Sequence, residues 1–160
     1  MPSFTKRVHH VRVGVDPSVT VTTIPDDAFA KCRFVRNIEL PEGLQVIRNG
    51  AFRYCIQLRR ITIPPTLIEI GERAFRRCIE LKDVILPQGL QTLGKCAFSE
   101  CCSLETICIP PLIEIIEESV FTDCSPLRKA DLRTGGGGTS SLVSVGIVDG
   151  DCRGLYKAES

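Results

Sequence analysis

The pair Ala-Phe occurs at Ala28-Phe29, Ala51-Phe52, Ala74-Phe75 and Ala97-Phe98, and Val120-Phe121 stands in the fifth place, each pair 23 residues after the last. A constant step of this length leaves few folds open. Each unit is one supersecondary element that cannot bury its apolar face alone, so the units must stack and share a core. Cysteine keeps the same step at Cys32, Cys55, Cys78, Cys101 and Cys124, and an aliphatic residue follows three positions later at Val35, Leu58, Leu81, Leu104 and Leu127. Five of the nine cysteines therefore belong to the repeat.

Each unit continues through an apolar-x-apolar step, at Ile38-x-Leu40, Ile61-x-Ile63, Val84-x-Leu86 and Ile107-x-Ile109, stopped at once by Pro41, Pro64, Pro87 or Pro110. Alternation ended by proline reads as a short strand. Leu44, Leu67, Leu90 and Ile113, then Ile47, Ile70, Leu93 and Ile116, lead back to the next small-Phe pair. The small residue suits a turn of helix packed closely on the coil. The Phe that follows it points inward, so Phe29, Phe52, Phe75, Phe98 and Phe121 are expected to form a spine. The recurrent cysteine reads as a small apolar packing group, and buried thiols are normally inert.

This pattern, cleanest in LRRITIPPTLIEIGERAFRRC from Leu58 to Cys78, resembles the leucine-rich repeats of the BspA-like class over about Val13 to Leu132. The resemblance implies an α/β repeat solenoid, right-handed, with a parallel β-sheet of one strand per repeat on the concave face. Short helical turns or loops would form its other side. It also implies a role in binding or adhesion, and it brings no catalytic residue.

The ends depart from the repeat. Val13-x-Val15-Asp-Pro17 aligns with Ile61-x-Ile63-Pro-Pro65, which makes residues 1–12 an N-terminal segment and places a two-residue insertion before Ile24. Residues 13–134 form the solenoid of about five repeats. Arg133 then stands where proline is expected, and Gly135 to Gly138 with Thr139-Ser140-Ser141 open a flexible linker and tail over 135–160.

Twenty Lys and Arg against nineteen Asp and Glu give a net charge of +1, too little for a field that would hold a polyanion, so nucleic acid is not an expected partner. The N-terminus lacks the apolar run of roughly 7–15 residues that a signal peptide needs, and no stretch approaches the ~18–20 residues of a membrane helix. With an odd number of cysteines and no Asn-x-Ser/Thr acceptor, an intracellular location without membrane contact is expected.

Chemistry is sparse. The two histidines, His9 and His10, are adjacent and outside the regular array, and the four glycines are not followed by Lys-Ser/Thr as a phosphate loop requires. No catalytic residue, cofactor or metal is expected. Cys96, Cys101, Cys102 and Cys108 bring four thiols into thirteen residues, which raises the alternative of a zinc or thiol redox protein. Repeat phase opposes it, since Cys101 is at the inward position while Cys96, Cys102 and Cys108 align with Arg73, Ile79 and Ile85.

What remains is a surface. Between the inward residues of each strand step stand Glu39, Thr62, Ile85, Cys108 and Asp131, which alternation turns toward the concave side. Arg36, Arg59-Arg60 and Lys82 flank them. The expected contact set for a protein partner, itself unknown, is Arg59, Arg60, Lys82, Ile85 and Cys108. Residues 28–82 carry eleven Lys or Arg against five acids, net +6, and residues 83–127 carry one against seven, net −6. Such polarity could steer a partner or favour self-association along the solenoid axis. The functional expectation is a non-enzymatic protein-interaction module, with a cell-surface adhesion or host-contact protein of the same fold as the alternative.

Overall fold

The computed structural model describes residues 9–14, 16, 20–113, 116, 118–124 and 129–132 of the chain. The Gly-rich linker and tail of 135–160 lie outside these residues. Among the described residues strands recur on two sides of the coil. On one side run β1 (His10–Arg12), β3 (Asn37–Glu39), β5 (Arg60–Thr62), β7 (Asp83–Ile85), β9 (Thr106–Ile109) and β10 (Lys129–Leu132). On a second side run β2 (Thr23–Ile24), β4 (Val46–Ile47), β6 (Glu69–Ile70) and β8 (Thr92–Leu93). Every paired neighbour is parallel, as successive turns of a solenoid must be.

Three features differ from the expectation of one strand per repeat in a single sheet. The step through Ile47, Ile70 and Leu93 is itself a ladder, ordered β2-β4-β6-β8, because these residues alternate inward with exposed neighbours over only two positions. The concave side is two three-stranded sheets, β1-β3-β5 and β7-β9-β10, and β5 and β7 lie side by side without ladder pairing. The first strand is set by Val11, which pairs with Ile38, and not by the Val13-x-Val15 step. Both steps alternate, and Pro17 made the second resemble a strand end. Val11 is the one flanked by outward His10 and Arg12, so this coil is four residues longer than the others.

The third side of the coil is not helical over the repeats. It is built from turns closed by Ala30 N–H to the Asp27 carbonyl (3.0 Å) and Cys32 N–H to the Phe29 carbonyl (3.2 Å), and by their equivalents. Left-handed residues bound these turns, at Asp27 and Lys31 (φ 54° and 63°), Arg73 and Arg77 (54° and 61°) and Cys96 and Glu100 (55° and 59°). The left-handed residues swing the peptide planes to lie along the axis. Asp27, Phe29 and Lys31 therefore donate their N–H groups to the carbonyls of Asn49, Ala51 and Arg53 in the next coil, at 3.0, 2.8 and 2.8 Å. A helix would use those N–H groups within its own turn and leave the coils unconnected here. Among the described residues only Glu118–Phe121 is a helix, of the 3-10 type.

The core is a set of side-chain columns. Phe52, Phe75 and Phe98 are fully buried, and the rings from Phe29 to Phe98 stack with centroids 5.2, 5.2 and 5.1 Å apart and interplanar angles of 5°, 8° and 6°. The last step, Phe98 to Phe121, opens to 6.0 Å and 15°. Ala51, Ala74 and Ala97 are buried beside them. Ala28 is exposed and Phe29 half-buried, since the described residues cover the first coil on one side only. Close approach of coils also explains Gly94, where a Cβ would come within 2.5 Å of the Gly71 and Glu72 backbone.

Replacing Phe75 by Ala leaves a cavity that the rings above and below, held at fixed spacing by backbone hydrogen bonds, cannot collapse into. The expected cost is about 3–5 kcal/mol in denaturant melts. Phe121→Ala, at the loosened end of the column, is expected to cost distinctly less. Equal losses would contradict a core whose centre is tighter than its end.

Candidate functional site

Two candidate features must be placed, the cysteine column and the concave strip. Four cysteines of the column make a contact that packing alone does not imply. The thiols of Cys55, Cys78, Cys101 and Cys124 donate to the carbonyls of Phe29, Phe52, Phe75 and Phe98 in the preceding coil, at 3.1, 3.3, 3.2 and 3.0 Å. The same carbonyls accept the N–H of the cysteine three residues on. The thiol thus supplies the second hydrogen bond to a carbonyl shut off from water, which valine or alanine could not do. The spacing of Phe and Cys by three residues is the sequence signal for this pairing.

Burial pushes the Cys78 and Cys101 thiols well above the usual thiol range, and Cys55 is raised by its neighbour Cys32 and by burial. At the half-buried end of the column the neighbouring Cys55 thiol lowers Cys32 to about 7. No group of three or more His, Cys, Asp or Glu among the described residues is placed to hold a metal. Cys101 is buried, Cys96 half-buried and Cys102 exposed, and the Cys108 side chain lies outside the described set. Alkylation at pH 6 to 8 followed by peptide mapping is expected to label Cys102 readily and Cys32 increasingly as pH passes about 7. Cys78 and Cys101 should be labelled only on unfolding, and rapid native-state labelling of Cys78 would overturn the assignment of a sealed column.

The concave strip follows from strand alternation. Ile38, Ile61, Val84 and Ile107 turn inward and are buried, which leaves Arg60, Thr62, Asp83 and Ile85 outward and exposed, with Arg36, Arg59 and Lys82 exposed at the strand entries. Ile85 is 50% exposed, one of the few large apolar side chains left in solvent. Of the residues expected to form the contact set, Arg59, Arg60, Lys82 and Ile85 lie on adjacent coils of this strip. The backbone of Cys108 pairs in register with that of Ile85. The register of β1 adds His10 and Arg12, which both reach Glu39 at 3.4 and 2.9 Å. The misplaced first strand hid these two residues from the sequence reading, and the outward positions around Val11 would have exposed them.

Pairing thins the charge of the strip unevenly. Arg59 Nε donates to Glu80 at 2.7 Å, whereas Arg36, Arg60 and Lys82 form no ion pair among the described residues. On the turn side the arginines are engaged. Arg53 holds Asp27 at 2.5 Å and lowers its carboxyl, and Arg76 and Arg77 share Glu100 at 2.7 and 2.6 Å. Arg53 and Arg77 also flank the Tyr54 ring at 5.9 and 5.5 Å.

A family model described as a BspA type leucine rich repeat region, in six copies, matches residues 18–135. The chain belongs to the BspA-type leucine-rich repeat family. No curated protein matches it. Among solved structures it is similar to a leucine rich repeat protein of T. pallidum, at 30% identity and a TM-score of 0.72, over 76% of this chain and 57% of that one. A leucine rich cell surface protein from Faecalibacterium prausnitzii is 28% identical with a TM-score of 0.71, covering 81% of this chain and 36% of that chain. The pneumococcal vaccine antigen PcpA is 25% identical with a TM-score of 0.64, over 73% of this chain and 29% of that one. The chain spans between about a third and three-fifths of the length of the first two. Among the described residues no helix of this BspA-type protein is long and apolar enough to cross a membrane.

Proposed function

We propose that this BspA-type repeat protein is a non-enzymatic interaction module that docks a partner protein on its concave strip through Arg59, Arg60, Lys82, Ile85 and Cys108. The observation that carries this reading is the exposed side of the strands. Two arginines, a lysine and a half-exposed isoleucine lie on neighbouring coils, with charge rimming an apolar group. The columns beneath hold the backbone positions of these residues at fixed spacing, so the ordering cost of binding falls on the side chains and not on the backbone. A surface adhesion or host-contact role of the same strip is the second reading, favoured by the F. prausnitzii neighbour being described as a cell surface protein. Fractionation of source cells distinguishes the two settings.

Charge reversal at Arg59 and Arg60 together is expected to weaken capture of the partner from source lysate by about tenfold or more, through lost steering and lost contacts. The thermal melt should hardly move, because both side chains are exposed and the Arg59–Glu80 pair is a surface pair. Arg33→Glu with Arg48→Glu is the matched control, since both are exposed and neither forms an ion pair among the described residues. Arg76 and Arg77 are unsuitable because they hold Glu100. Equal responses to the two double variants, or none to either, would remove the strip as the docking face.

A further inference from the structure

The columnar packing that orders the core also orders the surface. Side chains of the same phase recur at the coil rise, which the stacked rings place at 5.1–5.2 Å over the regular coils. Repeat phase puts Arg36, Arg59 and Lys82 at the strand entries of successive coils, with Arg60 beside Arg59; β3 and β5 are paired in register, and β5 and β7 lie side by side. Like charges stacked in register disfavour one another. Glu80 pairs with Arg59 and Asp83 stands exposed beside Lys82, while Arg36, Arg60 and Lys82 have no ion-pair partner among the described residues. The row ends at Glu105 in the next coil, where the chain turns acidic, and Ile85 stands half-exposed beside that boundary.

Resting on the reading of this strip as a docking face, we infer that its occupant is an acidic amphipathic α-helix of a partner protein, lying along the solenoid axis. Its carboxylates would stand over Arg36, Arg59 and Lys82, with an apolar side chain on Ile85. The spacing favours a helix. A helix repeats a face every ~5.4 Å, within a few tenths of an ångström of the coil rise. An extended strand returns to the same face only every ~6.6–6.8 Å and falls out of step with the row by its third residue. A three-residue strand is ~10 Å long, about the width of one helix. The acidic coil beyond Lys82 repels carboxylates, so the acid-rich end of the helix lies toward the first coil and its apolar residue toward Ile85.

The test is fluorescence anisotropy of the full chain with labelled alanine-based peptides of about 20 residues, long enough to hold helix in isolation. One carries glutamates on a single face and a leucine at one end. A second has the same composition scrambled around the helix, and a third replaces the glutamates with lysines. The first is expected to bind saturably, and the other two at least about tenfold more weakly. Arg36→Glu with Lys82→Glu should weaken the first peptide by about tenfold or more while leaving the melt unchanged, and the Arg33/Arg48 control should leave binding within about twofold. Equal binding of the scrambled peptide would show attraction to bulk charge and overturn the inference. So would absence of binding by the first peptide, or a concentration-dependent dimer of the chain that excludes it. If the acidic peptides fail while Arg59/Arg60 reversal still abolishes capture of the lysate partner, the strip remains the docking face and the acidic helix falls. Failure of both removes the face as well.

Discussion

The hydrogen bonds that join one coil to the next set the dimension to which everything else in this protein conforms. They run through the two strand ladders, the concave one interrupted between β5 and β7, and through the peptide groups of the turn that contains the Phe. Both backbone groups of each Phe from Phe29 to Phe98 reach the following coil. The N–H donates to an alanine or valine carbonyl, and the carbonyl accepts the next cysteine's thiol. Once the rise is fixed near 5 Å, side chains of equal phase must stack upon themselves. A residue at one position is then judged by its fit to copies of itself above and below, which is why phenylalanine, cysteine and alanine recur with so little variation. Flat Phe rings accept a ~5 Å stack without a clash. The left-handed φ at Asp27, Lys31, Arg73 and Arg77 turns the linking groups toward their partners, and the strain of those residues is met by the bonds they make possible.

Much of this is legible in the amino-acid sequence. The 23-residue step, the inward Phe and the proline-ended strands depend on side-chain chemistry alone, so they appear in the letters. The turn geometry did not. Arginine, lysine, aspartate and cysteine at left-handed positions carry none of the glycine or asparagine signal that marks such a backbone, and the conformation comes from cooperation between coils. The first strand was misread for a related reason. Two valine steps fit the alternation equally well locally, and only pairing with Ile38 chooses between them. The thiol role was missed because burial and hydrogen bonding make the same demand for a small, sulfur-bearing side chain. Of the candidate site, the exposed outward positions of β5 and β7 follow from alternation, whereas the unequal pairing of the arginines required the placement of Glu80 and Glu100.

The same regularity shapes function. A stack that makes columns inside makes rows outside, so even a few substitutions along a row build a surface with a fixed spacing and polarity. Arg36, Arg59 and Lys82 stand at equivalent exposed positions, and they can be changed without touching the core because Val35, Leu58 and Leu81 beside them carry the burial. The fold thereby separates the residues that hold the coils together from those free to meet a partner. Solvent-facing positions of a BspA-type coil can diverge while the Phe and Cys columns stay in place.

Coil-to-coil hydrogen bonding as the source of stability is tested most directly by native-state hydrogen exchange at the amides of Phe29, Phe52 and Phe75. All three donate to the following coil at 2.8 Å, so bond length does not separate them. If stability is collective along the axis, the Phe52 and Phe75 amides should exchange only through cooperative unfolding and share one dependence on denaturant. The Phe29 amide, on a coil that the described residues cover from one side, should exchange faster through local opening. Fast exchange at Phe75, insensitive to denaturant and no slower than at Phe29, would contradict the account, because the central coil would then open without breaking the stack.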